Sequence, residues 1–202
     1  MELREISIDK IKPNPHQARV EFPEEKLKEM AATIKRKEIG LLQPISVREK
    51  GEGYELIIGE MRLRASKMAG VKKIPAIVKD VDDKGVALQA LIENVQRTDL
   101  KPIPKARGLF EYYRLAGNFG TPEGPKIKSA LDALRNIEEG AIKRKLTDFE
   151  KKVKEIADTV GLSYGYQSRL LSHLKLKPEE LDRVNELEID SLKIERIATI
   201  ED

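Results

Sequence analysis

The sequence predicts an α+β protein, in which a small α/β domain over residues 1–100 is followed by an all-helical domain over residues 101–202. Two patterns lead to this prediction. Short strand signals alternate with helix signals in the first half, whereas the second half shows helical spacing alone. The length of the chain is compatible with two domains, because 202 residues with 40% hydrophobic content can form one large core or two small ones.

The first half alternates between strand and helix signals. Its helix signals are apolar residues at three- and four-residue spacing, and glycines such as Gly40 and Gly70 mark their ends. A Lys-Gly-Glu-Gly loop at 50–53 separates two strand patterns and predicts a hairpin. The predicted strands are residues 3–8, 45–47, 54–58 and 74–78, and the predicted helices are residues 23–40, 60–69 and about 84–97.

The second half contains helix signals separated by clear breaks. One helix is predicted over residues 104–116 and a charged one at about 126–145, with a loop rich in glycine and proline at 117–125 between them. Thr147 and Glu150 then form a capping box, in which hydroxyl and carboxylate satisfy free amides at a helix start. A new helix is therefore expected to begin here.

A helix-turn-helix is predicted at about residues 152–175. Apolar residues line one face of each helix, Gly161 makes the turn, and Ser163 caps the second helix. Such a pair presents the start of its second helix to the major groove of DNA. The same pattern also fits a helical hairpin inside a bundle, so the spacing alone leaves DNA binding open.

The candidate DNA contacts lie at the start of the second helix and just beyond its end. Gln167 or Arg169 is expected to contact base edges, and Lys175 a phosphate. The candidates are Ser163, Tyr164, Tyr166, Gln167, Ser168, Arg169 and Lys175.

A candidate anion site lies where a strand is expected to turn into a helix at Gly59. The amides at such a helix start point outward at the positive end of the helix dipole, and Arg62 and Arg64 add fork-like donors that match phosphate oxygens. A glycine followed by arginines at a helix start is also common for structural reasons. Both interpretations stay open on these residues alone.

A second polar cluster ends the predicted helix at about 84–97. Glu93 and Asn94 offer oxygen ligands, and Mg²⁺ favours one or two such ligands together with phosphate oxygens and water. Ordinary polarity at a helix end, with Arg97 near the negative terminus, explains the cluster equally well.

Composition excludes several classes of site. The chain has no cysteine and two histidines, which removes disulfides, thiol chemistry and cysteine-based zinc sites. Since no apolar run is long enough to cross a bilayer, a cytoplasmic protein without membrane contact is expected. The net charge of +3 comes from 38 basic and 35 acidic residues, so a nucleic-acid surface must be a local patch.

Four segments taken together resemble the ParB family, and they occur in the family's order. They are Ile11–Arg19, Gly40–Arg48, Gly59–Ala65 and Glu93–Ile103. The resemblance implies a ParB/sulfiredoxin-like first domain and a helix-turn-helix second domain. It also implies a nucleoid-associated protein of chromosome or plasmid partition, which binds a palindromic DNA site as a homodimer.

The resemblance further implies that CTP is bound with Mg²⁺ and is slowly hydrolysed to CDP and phosphate, so that the nucleotide gates a clamp on DNA. It assigns Glu93 and Asn94 to the metal, the phosphates and catalysis. It assigns the nucleotide pocket to Gln43, Gly59, Glu60, Arg62 and Arg64, together with Glu93 and Asn94.

The sequence departs from the family pattern in three places. Met61 replaces the first arginine of the family's frequent Gly-Glu-Arg-Arg, so binding of CTP is better supported than its hydrolysis. Extra residues are inserted around 118–147. The sequence starts at the first strand and stops after the helix-turn-helix, without the family's basic tail and C-terminal dimerisation segment, so a ParA-type ATPase partner stays an open expectation.

Two other functions remain as alternatives. A transcription regulator or nucleoid-occlusion-type protein would use the same parts on another DNA site. A small-molecule kinase of the same first-domain fold is the other, but it would leave the helix-turn-helix unexplained. Sulfiredoxin chemistry needs a cysteine, which the chain lacks.

Overall fold

The computed structural model describes residues 2–14, 23–36, 43–98, 100–120, 124–187 and 189–200. The chain forms two compact units, Met1–Ala90 and Leu91–Asp202, called here the N-terminal unit and the helical unit. The first is a mixed α/β structure and the second is helical, so the predicted α+β class is confirmed. No helix in the described ranges is long and apolar enough to cross a membrane.

A mixed five-stranded sheet forms the N-terminal unit. Its strands are β1 (Glu2–Ser7), β2 (Ile11–Lys12), β3 (Ile45–Lys50), β4 (Gly53–Ile58) and β5 (Lys73–Val78). Their order is β1-β5-β3-β4-β2, with antiparallel β1/β5 and β3/β4 pairs and parallel β3/β5 and β2/β4 pairs. The four predicted strands are confirmed, whereas the two-residue β2 was missed because its pattern is too short to register.

Alternating residues of the strands build the core beneath this sheet. Ile45, Val47 and Leu56 have no exposed surface, and Leu63 of the following helix packs against the same cluster. Burial of such side chains is the main favourable term in folding. The hairpin of β3 and β4 is therefore anchored just before the chain leaves the sheet at Gly59.

Two helices of the N-terminal unit pack on each other. They are α1 (Glu24–Lys35) and α2 (Glu60–Met68), and Leu27 and Ala31 of α1 form one apolar cluster with Ala65 of α2. The prediction that the first helix reaches Gly40 is wrong, because Arg36 is already extended. Gly40 itself lies outside the described residues.

An ionic network around the buried Arg48–Glu55 pair joins β3 and β4 to the helix that follows β5. Arg48 of β3 donates to Glu55 of β4 at 2.7 Å and also to Asp83, which begins helix α3 (Asp83–Gln96). Burial alone would raise the pKa of Glu55, but hydrogen bonds from Lys50 and Arg48 outweigh it and hold that pKa below its usual value. Breaking one partner would leave a buried charge uncompensated, so the network acts as a unit.

The helical unit is a bundle around the predicted helix-turn-helix. Its helices are α4 (Pro102–Gly117), α5 (Gly124–Glu138), α6 (Asp148–Val160), α7 (Tyr164–Ser172), α8 (Pro178–Glu186) and α9 (Ser191–Ile200). Side chains without exposed surface fill its centre: Leu109, Tyr113, Ile127, Leu131, Val153 and Leu170. The helix α7 packs against α4, α5 and α9, so its position is set from several sides.

The charged helix predicted at about 126–145 is shorter than expected. It is α5, which ends at Glu138, and Gly140 then takes a left-handed conformation with φ +76°. Glycine adopts this conformation without steric penalty and is a common stop after a helix. Gly140 is thus the sequence signal that ends this helix before the charged residues that follow it.

Candidate functional site

Gly59 joins β4 to α2 in a conformation that only glycine tolerates here. Its φ is +112°, and a Cβ atom at this position would lie 2.8 Å from Cγ2 of Ile45. Gly59 caps α2 without any side-chain hydrogen bond. Since the first amides of a helix have no partner within the helix, this start presents donors at the positive end of the helix dipole.

Arg62 ties the start of α2 to the segment before β3. Its Nη1 donates to the main-chain oxygen of Gln43 at 3.2 Å and to that of Pro44 at 2.5 Å. The structure therefore brings Arg62 and Gln43 together, as the prediction of a shared pocket requires. It also shows that Arg62 shapes the local backbone, a role that the sequence pattern did not indicate.

Glu60 is the most informative side chain of this cluster. It is only 6% exposed, and its Oε1 accepts a 2.7 Å hydrogen bond from Nε of Arg64. Its Oε2 is buried and has no hydrogen-bond partner among the residues that the structure describes. Because a buried carboxylate oxygen without a donor is costly, this atom is suited to accept a hydrogen bond from a bound ligand.

Met61 and Asn14 complete the surroundings of this helix start. Met61 packs against the apolar cluster of α1 and α2, so an apolar residue suits the position where the family pattern has an arginine. Asn14 is 4% exposed and donates from Nδ2 to the main-chain oxygen of Ile57 at 3.2 Å. The sequence motif contained Asn14 but gave it no role; its place between two prolines after a strand was the available signal.

Glu93 and Asn94 lie in the last turn of α3 and are half-buried. Within the described ranges, no three histidine, aspartate or glutamate side chains cluster as a metal site would require. One carboxylate and one amide still fit the way Mg²⁺ is held by few protein ligands together with phosphate oxygens and water. Their assignment to a metal and to catalysis stays a prediction.

The helix-turn-helix has the predicted elements. Thr147 accepts from the Glu150 amide at 3.2 Å and Glu150 accepts from the Thr147 amide at 2.8 Å, which confirms the capping box of α6. Gly161 makes the turn with φ +72°, and Ser163 caps α7 by accepting from the Tyr166 amide at 3.3 Å. The two helices and their turn are thus fixed by local hydrogen bonds.

Gln167 corrects the predicted DNA contacts. It has no exposed surface, and its Oε1 accepts from the Tyr113 hydroxyl at 2.6 Å. Its Nε2 donates to the main-chain oxygens of Ala157 at 3.1 Å and Leu162 at 2.7 Å. The prediction that Gln167 contacts a base is therefore wrong for this conformation, since all its hydrogen bonds hold α4, α6 and the turn together.

Ser168 also leaves the set of candidate DNA contacts. It is 3% exposed, and its hydroxyl donates to Asp132 of α5 at 2.6 Å. Burial would raise the pKa of Asp132, but hydrogen bonds from Lys128 and Ser168 hold it below its usual value. The carboxylate is thus ionised and accepts strongly, so Ser168 fastens α7 to α5.

The remaining candidates are at least partly accessible. Ser163 and Lys175 are exposed, and the Tyr166 hydroxyl makes no hydrogen bond within the described part of the chain. The Tyr164 hydroxyl donates to Asp158 at 2.6 Å, and Nε of Arg169 donates to Glu195 at 2.9 Å. A DNA contact by Arg169 would therefore compete with this ion pair or use the remaining guanidinium nitrogens.

Comparison with known proteins finds a family match for the first part of the chain. The family model of the ParB N-terminal domain matches residues 1–95. Over 103 residues the chain is 52% identical to the chromosome-partitioning protein Spo0J of Thermus thermophilus, which covers 51% of this chain and 38% of that protein. The probable chromosome-partitioning protein ParB of Neisseria meningitidis is 37% identical over 171 residues, covering 84% of this chain. Residues 1–95 thus match the ParB N-terminal domain.

A solved structure extends the likeness to almost the whole chain. The C-terminally truncated chromosome-partitioning protein ParB of Caulobacter crescentus, complexed to the centromeric parS site, covers 96% of this chain with a TM-score of 0.66 and 27% identity. The chain spans only 38% of the Thermus protein and 57% of the Neisseria protein.

The ParB resemblance inferred from the sequence is thereby confirmed, and with it the fold class. Of the four segments that carried the resemblance, residues 15–19, 40–42 and Asp99 lie outside the described residues. The roles assigned to the individual residues of the nucleotide pocket stay predictions.

Proposed function

We propose that this chain is a ParB-type partition protein that binds a palindromic site on double-stranded DNA through the start of α7. The observation that supports this most directly is the internal engagement of Gln167, which fixes α7 while leaving Ser163 and Tyr166 accessible. A helix held in this way can present its first turn to the major groove without internal rearrangement.

The chemistry of the accessible residues suits DNA. The Ser163 hydroxyl and the amides at the start of α7 suit a phosphate, while Tyr166 and Arg169 suit base edges or sugars. The relatives point the same way, because they are named as chromosome-partitioning proteins and the Caulobacter protein was solved on its parS site. Association with the nucleoid follows as part of the same proposal.

The DNA proposal is tested by fluorescence anisotropy on a parS-like palindrome and on a scrambled duplex of equal length. Wild type is expected to bind the palindrome more tightly. Arg169→Ala and Tyr166→Ala are expected to weaken palindrome binding by roughly 1–3 kcal/mol for each base that is no longer recognised, with less effect on the scrambled duplex. Glu111→Gln, which removes an exposed charge on α4, is the control. Equal affinity of wild type for both duplexes would refute sequence-specific binding.

We further propose that the N-terminal unit binds CTP with Mg²⁺ at the start of α2. The unpartnered Oε2 of Glu60 supports this, because it needs a donor that the described residues do not provide. The amides after Gly59 would donate hydrogen bonds to phosphate oxygens, and Arg64 adds positive charge beside them. Arg62 acts here chiefly by holding the Gln43–Pro44 backbone in place.

A binding panel tests this nucleotide site. The whole chain is titrated in a calorimeter with CTP, ATP, GTP or UTP in the presence of Mg²⁺. Binding is expected for CTP alone. Arg64→Ala and Glu60→Gln should weaken CTP binding, while Arg4→Ala, which removes an exposed arginine of edge strand β1, should not. No heat with any nucleotide, or equal affinities for all four, would exclude a CTP site.

The clamp, the homodimer and hydrolysis are further parts of this proposal. A nucleotide can drive closure only if it binds the closed state more tightly than the open one, so CTP should raise the apparent affinity between two copies of the chain on DNA. Glu93→Gln is expected to abolish release of phosphate from CTP while DNA binding persists. A rate of CTP hydrolysis equal to that of wild type would show that Glu93 has no catalytic role. A ParA-type ATPase partner stays a prediction.

A further inference from the structure

The recognition helix α7 has a neighbour whose end lies beside its first turn. Asp132 of α5 accepts from Ser168 of α7, and one turn later in α5 the side chain of Arg135 passes over Gly165. Asp132 thus lies beside Ser168, and Arg135, further along α5, lies beside Gly165, which comes earlier in α7. The two helices therefore run antiparallel here. Consequently, the C-terminal end of α5 approaches the N-terminal end of α7.

Gly165 makes room for the arginine. A Cβ atom at Gly165 would lie 3.1 Å from Cδ of Arg135 and 3.8 Å from its Nη1, which is closer to Cδ than side chains normally pack. A glycine inside a short helix lowers helix stability, so its presence in the first turn is explained by this close passage. The stem of Arg135 lies on α7, and its guanidinium is carried to the start of that helix.

The guanidinium of Arg135 has no close partner among the described residues. Its Nη2 lies 3.8 Å from the Asp132 carboxylate. That carboxylate already accepts hydrogen bonds from Lys128 at 2.8 Å and from Ser168 at 2.6 Å. The Arg135 side chain is 41% exposed. An arginine that is placed by packing but not engaged in a short ion pair is available to an external anion.

We propose that Arg135 donates to a DNA phosphate beside the first turn of α7, so that the DNA surface includes a helix outside the helix-turn-helix. This inference rests on the proposed DNA-binding function. Most hydrogen bonds between proteins and DNA go to phosphates and sugars, and those next to the recognition helix fix its register in the groove. Glu138 and Glu139 are exposed one turn further along, so the interaction is a local one made by this guanidinium and not part of a broad basic patch.

The salt dependence of binding distinguishes a phosphate-binding arginine from other roles. Removing one cation that neutralises a phosphate should reduce the slope of log K against log salt by about 0.9. Arg135→Ala is therefore expected to weaken binding to the palindrome and to the scrambled duplex by the same factor, roughly threefold to tenfold at moderate salt, with the slope reduced by about one. Arg135→Lys, which keeps the charge, should restore the slope.

Arg114→Ala is the matched control, because Arg114 has a similar exposure but is paired to Glu111 at 2.8 Å on α4. It should leave both affinity and slope unchanged. Arg135→Gln, which keeps a stem over Gly165, replaces the alanine variant if that variant unfolds at a lower temperature.

An unchanged affinity and slope for Arg135→Ala would overturn the inference, and so would a loss of affinity confined to the palindrome with an unchanged slope. Wild type that binds neither duplex would instead defeat the proposed function itself.

Discussion

The Tyr113 hydroxyl donates a 2.6 Å hydrogen bond to the side-chain carbonyl of Gln167, and neither residue has any exposed surface. Burial holds the pKa of Tyr113 well above its usual value, so the phenol keeps its proton and remains a donor. This bond joins α4 to α7, while the amide nitrogen of Gln167 donates to main-chain oxygens of α6 and of the turn. One buried glutamine thereby aligns the whole helix-turn-helix.

We expect Tyr113→Phe to destabilise the protein by about 1–3 kcal/mol, because it leaves the Gln167 carbonyl oxygen buried without a donor. The measurement is the free energy of unfolding in urea, followed by circular dichroism. Tyr166→Phe is the control, since it removes a hydroxyl that has no hydrogen bond within the described ranges. Equal unfolding free energies for Tyr113→Phe and wild type would show that the bond contributes nothing.

The error about Gln167 shows what a local sequence pattern can and cannot reveal. Its position was correctly predicted to lie at the start of α7, and the spacing to Leu170 and Leu171 already put all three on one face. The spacing therefore indicates burial of Gln167, whereas its polar side chain at a helix start favours contact with DNA. The partners of Gln167 were not predictable, because Tyr113 lies 54 residues away and the pairing depends on how helices pack.

Gly59→Ala is expected to cost about 2–4 kcal/mol of stability, for two physical reasons. The left-handed φ of +112° strains any residue with a Cβ atom, and that atom would lie 2.8 Å from Ile45 in the core. The variant is measured by chemical unfolding of the whole chain.

Gly70→Ala separates the two causes. Gly70 has φ +73°, but no atom lies within 4 Å of the position of its Cβ, so it isolates the backbone strain. Its expected cost is roughly 1 kcal/mol. Equal costs at the two glycines would mean that Ile45 moves aside freely and that the close approach does not matter.

The turn at Gly59 was predictable from the sequence and the partners of Arg62 were not, for one physical reason. A glycine between a strand pattern and a helix pattern is a local signal, so the turn and the helix start were predictable from the sequence. Arg62, in contrast, donates to backbone oxygens 18 and 19 residues earlier, and only the folded chain reveals them. The Oε2 atom of Glu60 belongs to the same class, because its isolation depends on what surrounds it.

The capping box predicts a distinct response to acid. The hydrogen bond from Arg144 is the main cause that lowers the pKa of Glu150 to about 2, with the Thr147 amide assisting. The folded state thus binds this proton less readily than the unfolded state, so the stabilisation is present above the ordinary pKa of 4.5 and is lost as pH falls towards about 2. We expect it to amount to about 1–2 kcal/mol, because Arg144 is exposed and screened by solvent.

Glu150→Gln provides the comparison, since glutamine can still cap the helix but cannot form the ion pair. At neutral pH it should be less stable than wild type, and the difference should shrink as pH falls from about 4.5. A difference that is independent of pH would mean that the carboxylate charge does not contribute.

His173 should give the helical unit a second pH dependence near neutrality. The imidazole has no exposed surface, and its Nε2 lies 3.1 Å from the main-chain oxygen of Ser191 at the start of α9. Its Nδ1 is buried without a partner among the described residues, so a second ring proton would have no acceptor. Burial therefore lowers the pKa of His173 below 6.5, opposed by the Ser191 carbonyl and by Glu195 and supported by Arg169.

The unfolded chain binds a proton at this histidine from about pH 6.5 downward, while the folded chain resists it, so stability should fall as pH decreases below that value. His173→Gln should flatten this part of the profile, because the side chain no longer titrates. The protonation state itself is measured by NMR titration of the ring protons, whose titration midpoint should lie below the ordinary value of 6.5. A His173 resonance that titrates at or above the ordinary pKa, or an unchanged profile in the variant, would contradict this account of how α7 is held to α9.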